Sequence, residues 1–294
     1  MNKYKIVTDS CIDLSEAMAK ELDLTVLPLT VLLEGKTYFN YLDEREITFK
    51  DFYQKLREKK MPSTSQLNPA EFEVVFEELL KEGYDILSIS FSSALSGTYE
   101  SAVAARDNML KIYPERKIVT IDSMCASMGQ GLLLYYAAKL KQENKSLDQV
   151  AKWVEENKGK VSHLFTVGDL NHLKRGGRLS SSKAFLGTLI NIKPLLHVSE
   201  AGKLVPTGQA RGRRQALNKL IDRMRLTIEK PREQVIFISH ADCLEDVDYL
   251  KEQIEQKIPV KEIVVNYIGP VIGSHSGLNT IALFYLGSDR TTSY

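Results

Sequence analysis

The segment DILSISFSSALSGTYESA, residues 85–102, decides the fold class because it joins two different structural patterns. Its first part, DILSISF, is a short apolar run typical of a buried β-strand, and the part after the serines favours a helix. Between them lies a cluster of hydroxyl side chains, on Ser92, Ser93, Ser96 and Thr98. A strand, a polar loop and a helix in this order predict one unit of an α/β fold with a parallel sheet.

The same alternation continues on both sides of this segment. We predict further strands at YKIVTDS, LTVLPLTVLL and RKIVTID, with helices between them. The clearest helix start is Asn68, followed by Pro69 and a capping-box Glu71. Weaker start signals are Thr48 with Asp51 and Asp13 with Glu16. Because ligands of open α/β sheets bind outside the carboxyl ends of the strands, we expect a site at the hydroxyl-rich loop.

The second half of the chain has a different pattern. A strand at HLFTV is followed by KPLLHVSEAGKLVPTGQA, which predicts a hairpin turning at Ala201-Gly202, and QVIFISH, VKEIVVNYIG and IALFYLG predict later strands separated by helices. We therefore predict two lobes, an N-terminal α/β lobe over 1–160 with a mostly parallel sheet and a C-terminal α/β lobe over 161–294 with a mixed sheet. A ligand is expected in the cleft between them.

Composition excludes several classes of function. The 294 residues carry 39 basic and 38 acidic side chains, so we expect no nucleic-acid partner and at most transient membrane contact. The first residues lack a signal-peptide apolar region, and no segment approaches the ~20 apolar residues of a membrane span, which favours a cytoplasmic protein. Three widely spaced cysteines without a CxxC pair suggest no disulfide framework and no zinc site. We expect neither a metal nor a cofactor.

The loop around Ser96 admits more than one interpretation. The G-x-S-x-G elbow of hydrolases fails because Ala94 and Thr98 stand where it needs glycines, and the lysine of a phosphate-binding loop is missing. Neutral hydroxyl donors, Gly97 and the start of a helix remain, and together they favour an anion. The alternative, which spacing alone favours, is that Ser96 and Thr98 only cap the helix.

Two further loops carry candidate polar residues. PSTSQLNP places Ser63, Thr64 and Ser65 between two helices, either as a site or as a simple turn with a helix cap. IGSHSGLN predicts that His275 lies in a glycine-flanked loop, a better position for a ligand contact than those of His163, His172, His197 and His240. We expect the strand-end carboxylates of Asp9 and Asp122 to accept hydrogen bonds from loop amides rather than to hold a metal.

Basic residues cluster in LKRGGRLSS and QARGRRQA, which contain Lys174, Arg175, Arg178, Arg211, Arg213 and Arg214. Without interleaved aromatic residues they are poor candidates for nucleic-acid binding. They form either solvated surface or a contact for an acidic partner or a phosphoryl group, which the guanidinium fork suits. Cys11 has no adjacent base and is more consistent with a buried thiol.

Seven segments in order resemble the DegV family, the fatty-acid-binding subunits of bacterial fatty acid kinase. They are VTDSCIDLS, VLPLTV, STSQLNPAEF, ISFSSALSGTYESA, TIDSMCASMGQG, DLNHLKRGGRLSS and GPVIGSHSG. The resemblance implies a two-lobed α/β fold without chemistry of its own and one long-chain fatty acid buried between the lobes. It also implies a separate ATP-binding kinase subunit as partner, with phospholipid synthesis as the destination of the acyl phosphate.

The resemblance also assigns roles to residues. The family's carboxylate-binding threonine and serine fall on Thr64 and Ser96, and its loop histidine falls on His275. The flanking residues of that ligand-binding set are Ser65, Gly97 and Thr98. The arginines expected to dock the kinase are Arg178 with Arg211 or Arg213.

Some features leave the acyl specificity and other functions open. The usual His-Thr-Gly-Pro-Gly is replaced from His275 onward by HSGLN, and Asn40-Tyr41 replaces a usual Asp-Gly, so the acyl preference stays open. Candidate tunnel walls are Leu27, Leu29, Val31 and Leu33, or Phe185, Leu186, Leu189 and Ile192. Alternative functions are a hydrolase or transferase using Ser96 or Cys11 with His275, and a nucleic-acid-binding regulator using the arginine clusters.

Overall fold

Three β-sheets organise the part of the chain that the computed structural model describes, namely residues 3–179, 191–288 and 290. The first is a parallel sheet of β1 (Tyr4–Asp9), β2 (Leu24–Leu27), β6 (Asp85–Ser90) and β7 (Ile118–Asp122), in the order β2-β1-β6-β7. The second is a small antiparallel sheet of β3 (Thr30–Leu33), β4 (Lys36–Phe39) and β5 (Ser63–Ser65), with β3 in the centre.

The third sheet is mixed. It contains β8 (Val161–Thr166), β9 (Ile192–Val198), β10 (Leu204–Arg211), β11 (Val235–His240), β12 (Glu262–Tyr267) and β13 (Ile281–Leu286). The order is β10-β9-β8-β13-β11-β12, and only β11 and β12 are parallel neighbours among these strands. A parallel sheet and a mixed sheet confirm the predicted α/β class.

The helices of the described residues connect these strands. They are α1 (Glu16–Glu21), α2 (Phe49–Arg57), α3 (Pro69–Lys81), α4 (Thr98–Ile112), α5 (Met128–Gln142), α6 (Leu147–Asn157), α7 (Asn171–Arg175), α8 (Arg213–Thr227), α9 (Leu244–Lys257) and α10 (Pro270–Ser276). The lobe boundary predicted near residue 160 falls between α6 and β8, and it stays a prediction.

Strand β11 is buried on both faces, which explains why its sequence is almost continuously apolar. Because side chains alternate along a strand, Val235 and Phe237 face one core and Ile236 and Ile238 face another. The second core includes side chains of α8 and α9. The first core also contains side chains of the parallel sheet. In this core, α5 packs against β8, β11 and β13. The two halves of the chain are therefore joined by a common core.

The single strand predicted at LTVLPLTVLL is wrong. The segment divides into β2 and β3, which belong to different sheets. Pro28 lies between them, and a proline has no N–H to continue a strand ladder. The next amide, that of Leu29, donates instead to Ser10 Oγ at 3.0 Å.

The helix starts match the sequence signals in two cases out of three. Asn68 caps α3 with the predicted capping box to Glu71, and Thr48 caps α2. The start predicted from Asp13 with Glu16 is wrong, because Ser15 caps α1. Asp13 instead has a left-handed backbone with φ 52° and is 3% exposed.

The predicted hairpin is confirmed, and its tip packs against the hydroxyl-rich loop. Gly202 lies in the turn between β9 and β10 with φ +72°, and its carbonyl accepts a hydrogen bond of 2.9 Å from Ser92 Oγ. A Cβ atom at Gly202 would lie 2.2 Å from Ser92 Oγ. The hairpin tip is therefore fixed onto the loop that also contains Ser96.

We expect Gly202→Ala to lower the free energy of unfolding by about 1–3 kcal/mol more than Gly35→Ala, since only the first forces atoms together. Gly35 is a matched control, because it lies in a hairpin turn with φ +79° and has nothing within 4 Å of its Cβ position. Urea unfolding of both variants measures the difference. Equal losses in the two variants would contradict the packing of the hairpin tip.

Candidate functional site

A cavity of about 380 Å³ lies between the loops of the parallel sheet and the mixed sheet. Its apolar walls come from both halves of the chain: Leu29, Phe91, Leu95, Ala126, Phe165, Leu173, Val198, Leu204, Ile268, Val271, Ile272, Ala282 and Phe284. Its polar lining residues are Cys11, Thr64, Ser65, Gln66, Ser96, Ser127, His163, Arg178, His275, Ser276 and Thr280. The cavity is therefore a mainly apolar chamber. Contacts between neighbouring loops bring Thr64, Gln66, Ser96, Arg178 and His275 together as a polar cluster in its wall.

Thr64 and His275, which are 211 residues apart in the chain, meet in this polar cluster. The Thr64 Oγ1 atom lies 2.8 Å from His275 Nε2. Thr64 is held by β5, which pairs it with Val31 of β3, so the loop predicted for this segment is wrong. His275 lies near the end of α10, so its predicted loop position is also wrong. Both elements are too short and too polar to show a sequence period.

Burial controls the charge of His275. Loss of solvent, helped by the positive charge of Arg178, lowers the pKa of the imidazole to about 4, so the ring is neutral at neutral pH. Its Nδ1 atom is buried against Gly176, where an added Cβ would lie 2.3 Å away, and it has no hydrogen-bond partner among the described residues. A buried orphan donor is costly. We therefore assign the proton to Nε2, which donates to Thr64 and leaves the threonine hydroxyl proton free to point to a ligand.

The Ser96 loop is joined to the Thr64 segment by Gln66. The amide N–H of Gly97 donates to Gln66 Oε1 at 2.9 Å. Ser96 Oγ lies 3.0 Å from Thr98 Oγ1 and accepts the Thr98 amide at 3.3 Å. Gly97, not Ser96, occupies the cap position of α4, and no side-chain cap bond forms there. Ser96 thus supports the first turn and also lines the cavity.

The other hydroxyls of the opening segment have structural partners. Ser92 donates to the hairpin tip, and Ser93 Oγ donates to Asp122 Oδ2 at 2.5 Å. Asp122 also accepts the amides of Ser93 and Met124, and Asp9 accepts those of Cys11 and Phe91. These contacts confirm that the strand-end carboxylates serve loop amides. Within the described ranges, no group of three or more metal-ligating side chains is placed to hold a metal ion.

The predicted docking arginines lie in different surroundings. Arg178 is half-buried in the cavity wall, where it donates to the carbonyls of Leu95 at 3.1 Å and Gly176 at 2.5 Å. Arg178 therefore connects Leu95, which precedes Ser96 in the chain, to Gly176, which packs against the His275 ring. Arg213 forms an ion pair of 2.8 Å with Asp246 outside this cavity, and Arg211 is exposed at the end of β10.

The geometry gives no support to a nucleophile. Cys11 lines the cavity, but burial and the charges of Asp9 and Asp13 raise the pKa of its thiol well above the ordinary value. In the part of the chain that is described, no hydrogen bond joins Ser96 or Cys11 to His275, whose Nε2 contacts Thr64. An activated nucleophile needs a base within hydrogen-bond reach.

The proposed tunnel walls are only partly found. Leu29 lines the cavity, whereas Leu27, Val31 and Leu33 are buried in the core beside it. Phe185, Leu186 and Leu189 lie outside the described residues, and Ile192, the first residue of β9, is partly buried but does not line the cavity. Sequence reasoning missed Gln66, Gly176 and the Ser127–Asp13 contact, because their roles depend on tertiary proximity.

The described residues also contain no helix that meets the length and apolarity of a transmembrane span.

The fold and the cavity define an α/β protein with a mainly apolar chamber whose wall carries uncharged hydroxyl and imidazole groups beside an arginine. A family model described as an uncharacterised protein of the DegV family matches residues 3–288. The chain therefore belongs to the DegV family. It is 49% identical over 290 residues to a DegV domain-containing protein of Clostridium perfringens, and the match covers 99% of each chain.

Solved structures agree with this assignment. The chain is similar to a DegV family protein from Thermus thermophilus described as fatty-acid-binding, with 34% identity, a TM-score of 0.88 and coverage of 97% of this chain and 100% of that chain. It is also similar to DegV from Bacillus subtilis, described as a fatty acid binding protein, with 32% identity, a TM-score of 0.82 and coverage of 98% and 100%. The family resemblance and the α/β fold are confirmed.

Proposed function

We propose that the protein binds one long-chain fatty acid, with the carboxylate at Thr64, Ser96 and His275 and the acyl chain in the apolar chamber. The observation that carries the proposal is the Thr64–His275 pair in the wall of a mainly apolar cavity. A buried carboxylate needs hydrogen-bond donors, and charge-assisted bonds to hydroxyls are strong. Arg178 beside the pair adds a favourable positive charge. The fatty-acid-binding relatives support the same ligand class.

The acyl chain supplies most of the affinity in this proposal. At ~0.8 kcal/mol per buried methylene, about 14 methylenes contribute roughly 11 kcal/mol before the costs of ordering. We expect denaturing mass spectrometry of the purified protein to find a fatty acid in near-stoichiometric amount. Palmitate should compete with that ligand, whereas hexadecanol, the matched alcohol, should compete far less. Protein that carries no fatty acid and does not bind added palmitate would refute the proposal.

The second part of the proposal concerns what happens to the bound carboxylate. We infer that the protein presents it to a separate ATP-dependent kinase subunit, which forms the acyl phosphate for phospholipid synthesis, and that this chain performs no catalysis. The docking surface would include Arg178, Arg211 and Arg213. The absence of a base for Ser96 or Cys11 among the described contacts favours this division of labour over a hydrolase.

Phosphoryl transfer from ATP to bound palmitate tests the docking surface. We expect transfer only when the kinase subunit is added, and we expect Arg211→Ala to slow it without changing the lipid content. Arg225→Ala is the matched control, because Arg225 is an exposed arginine on α8. Equal rates for wild type and Arg211→Ala would remove Arg211 from the docking surface.

A further inference from the structure

Asp13 connects three segments beside the cavity through one buried carboxyl group. Its Oδ1 accepts the amide of Gly269 at 2.9 Å, and its Oδ2 accepts the hydroxyl of Ser127 at 2.5 Å. Ser127 directly precedes α5 and lines the cavity, and Gly269 directly precedes α10. The side chain of Asn266 also donates to the Asp13 carbonyl at 2.9 Å.

The position of His275 depends on how the start of α10 is fixed. The helix spans only Pro270–Ser276, and so short a helix is not stable without tertiary contacts. The hydrogen bonds that hold its start include the Asp13 bond to Gly269, the bond of 2.6 Å from the Tyr53 hydroxyl to the Ile268 carbonyl, and the bond of 2.8 Å from the Ile268 amide to the His240 carbonyl. His275 follows less than two turns later.

We propose that Asp13 is a positioning residue that fixes α10, and therefore His275, against Thr64, and that the negative charge on its carboxyl strengthens this contact and with it the retention of the fatty acid. The inference rests on the proposed function.

The surroundings of Asp13 allow its carboxyl group to change charge near neutral pH. Burial raises the pKa of the carboxyl to about 7, an effect that the hydrogen bonds from Ser127 and Gly269 oppose. Among the described residues, the titratable groups that face it are Asp9 at the end of β1, Cys11 in the following turn and Tyr53 on α2. None of these three carries a positive charge. The network continues through Ser127 to Ser239 of β11, at 3.0 Å.

Protonation changes the bonds that Asp13 makes. The ionised carboxyl accepts charge-assisted bonds from both Gly269 and Ser127, whereas the protonated carboxyl uses one oxygen as a donor and holds the Gly269 amide less strongly. Retention should therefore weaken as pH falls through about 7. Fold stability should move the opposite way, because a raised pKa gives a contribution that is complete below ~4 and is lost as pH rises through about 7. If Asp13 acted only on the stability of the fold, fatty acid retention and fold stability would change with pH in the same direction.

The test measures release of radiolabelled palmitate from the full chain into excess albumin between pH 5.5 and 8.5, together with urea unfolding. We expect wild-type release to accelerate on the order of 5–10-fold between pH 8 and pH 6, from the weakening of one charge-assisted bond. Asp13→Asn, which carries no titrating group, should lack this inflection and the matching stability trend. Asp222→Asn, an exposed site on α8, should behave as wild type.

A second variant keeps the inference testable if Asp13→Asn does not fold. Ser127→Ala removes a hydrogen bond that lowers the pKa of Asp13, so the inflection should move to higher pH. An unchanged inflection in either variant, or wild-type release that is constant from pH 6 to pH 8, would overturn the role of Asp13 while leaving fatty acid binding intact. Failure to bind palmitate at any pH would instead refute the proposed function and, with it, this inference.

Discussion

The double variant Thr64→Val and Ser96→Ala is expected to be purified without fatty acid and to bind palmitate about 10²–10⁴-fold more weakly than wild type. Each substitution removes a hydroxyl that donates to the carboxylate in the proposed complex, and a hydrogen bond to a charged group contributes about 1.5–3 kcal/mol. Thr→Val conserves shape, but Thr64 also accepts the bond from His275 and Ser96 accepts the Thr98 amide, so we expect the free energy of unfolding to fall by about 1–3 kcal/mol as well. Urea unfolding should show that the variant still folds cooperatively, so that the loss of binding is measured on folded protein.

A control from the same small sheet separates site effects from sheet effects. Thr37→Val and Ser63→Ala remove two exposed hydroxyls from β4 and β5 that do not line the cavity. This second double variant should keep wild-type lipid content. Mass spectrometry of the purified proteins and titration with palmitate measure both effects. Wild-type lipid content in the Thr64/Ser96 variant would show that the carboxylate lies elsewhere.

Gly176→Ala is the second large expected effect, although this residue offers no polar side chain. Its new Cβ would lie 2.3 Å from His275 Nδ1, so either the imidazole or the α7 loop must move. The movement disturbs the Thr64–His275 contact and the Arg178 bond to the Gly176 carbonyl. Overpacking of this kind costs about 1–3 kcal/mol, which predicts palmitate binding weaker by roughly 5–150-fold.

Gly159→Ala is the matched control for Gly176→Ala, because nothing lies within 4 Å of its Cβ position and its φ is not positive. A double-mutant cycle gives a sharper test. Once His275→Ala has removed the ring, adding Gly176→Ala should cost little more, since the two effects share one contact. Fully additive losses in palmitate affinity would mean that Gly176 acts through something other than His275.

The sequence predicted the fold where local patterns were long enough to be read. The alternation of strands and helices, the capping box at Asn68 and the hairpin turn at Gly202 are local signals, and each is confirmed. The sequence patterns gave wrong predictions at three places, each for a physical reason. Pro28 divides an apolar run that looks continuous, β5 has only three residues, and α10 is rich in glycine and serine.

The geometry of the candidate site was less accessible than the fold. Loop position made Thr64, Ser96 and His275 candidates, but only the family resemblance grouped them in one site, because no spacing rule relates Thr64 to a histidine 211 residues away. The neutral state of His275 also follows from burial, which a sequence does not state. Asp13 shows the limit most clearly: a helix-start signal was the only local interpretation, whereas its contacts with Ser127 and Gly269 arise from three distant segments.

The packing of α5 against β8, β11 and β13 has a consequence for how the protein loses its structure. Detaching the six-stranded sheet would expose the side of this helix that contacts it, where Tyr135 packs edge-on against Phe237 of β11 and Gly129 lies against His163 of β8. Neither half could then melt while the other stayed native, so unfolding should be one cooperative transition. A ligand in the chamber between the halves would stabilise that single transition as a whole, and the melting temperature of the intact chain would report its occupancy.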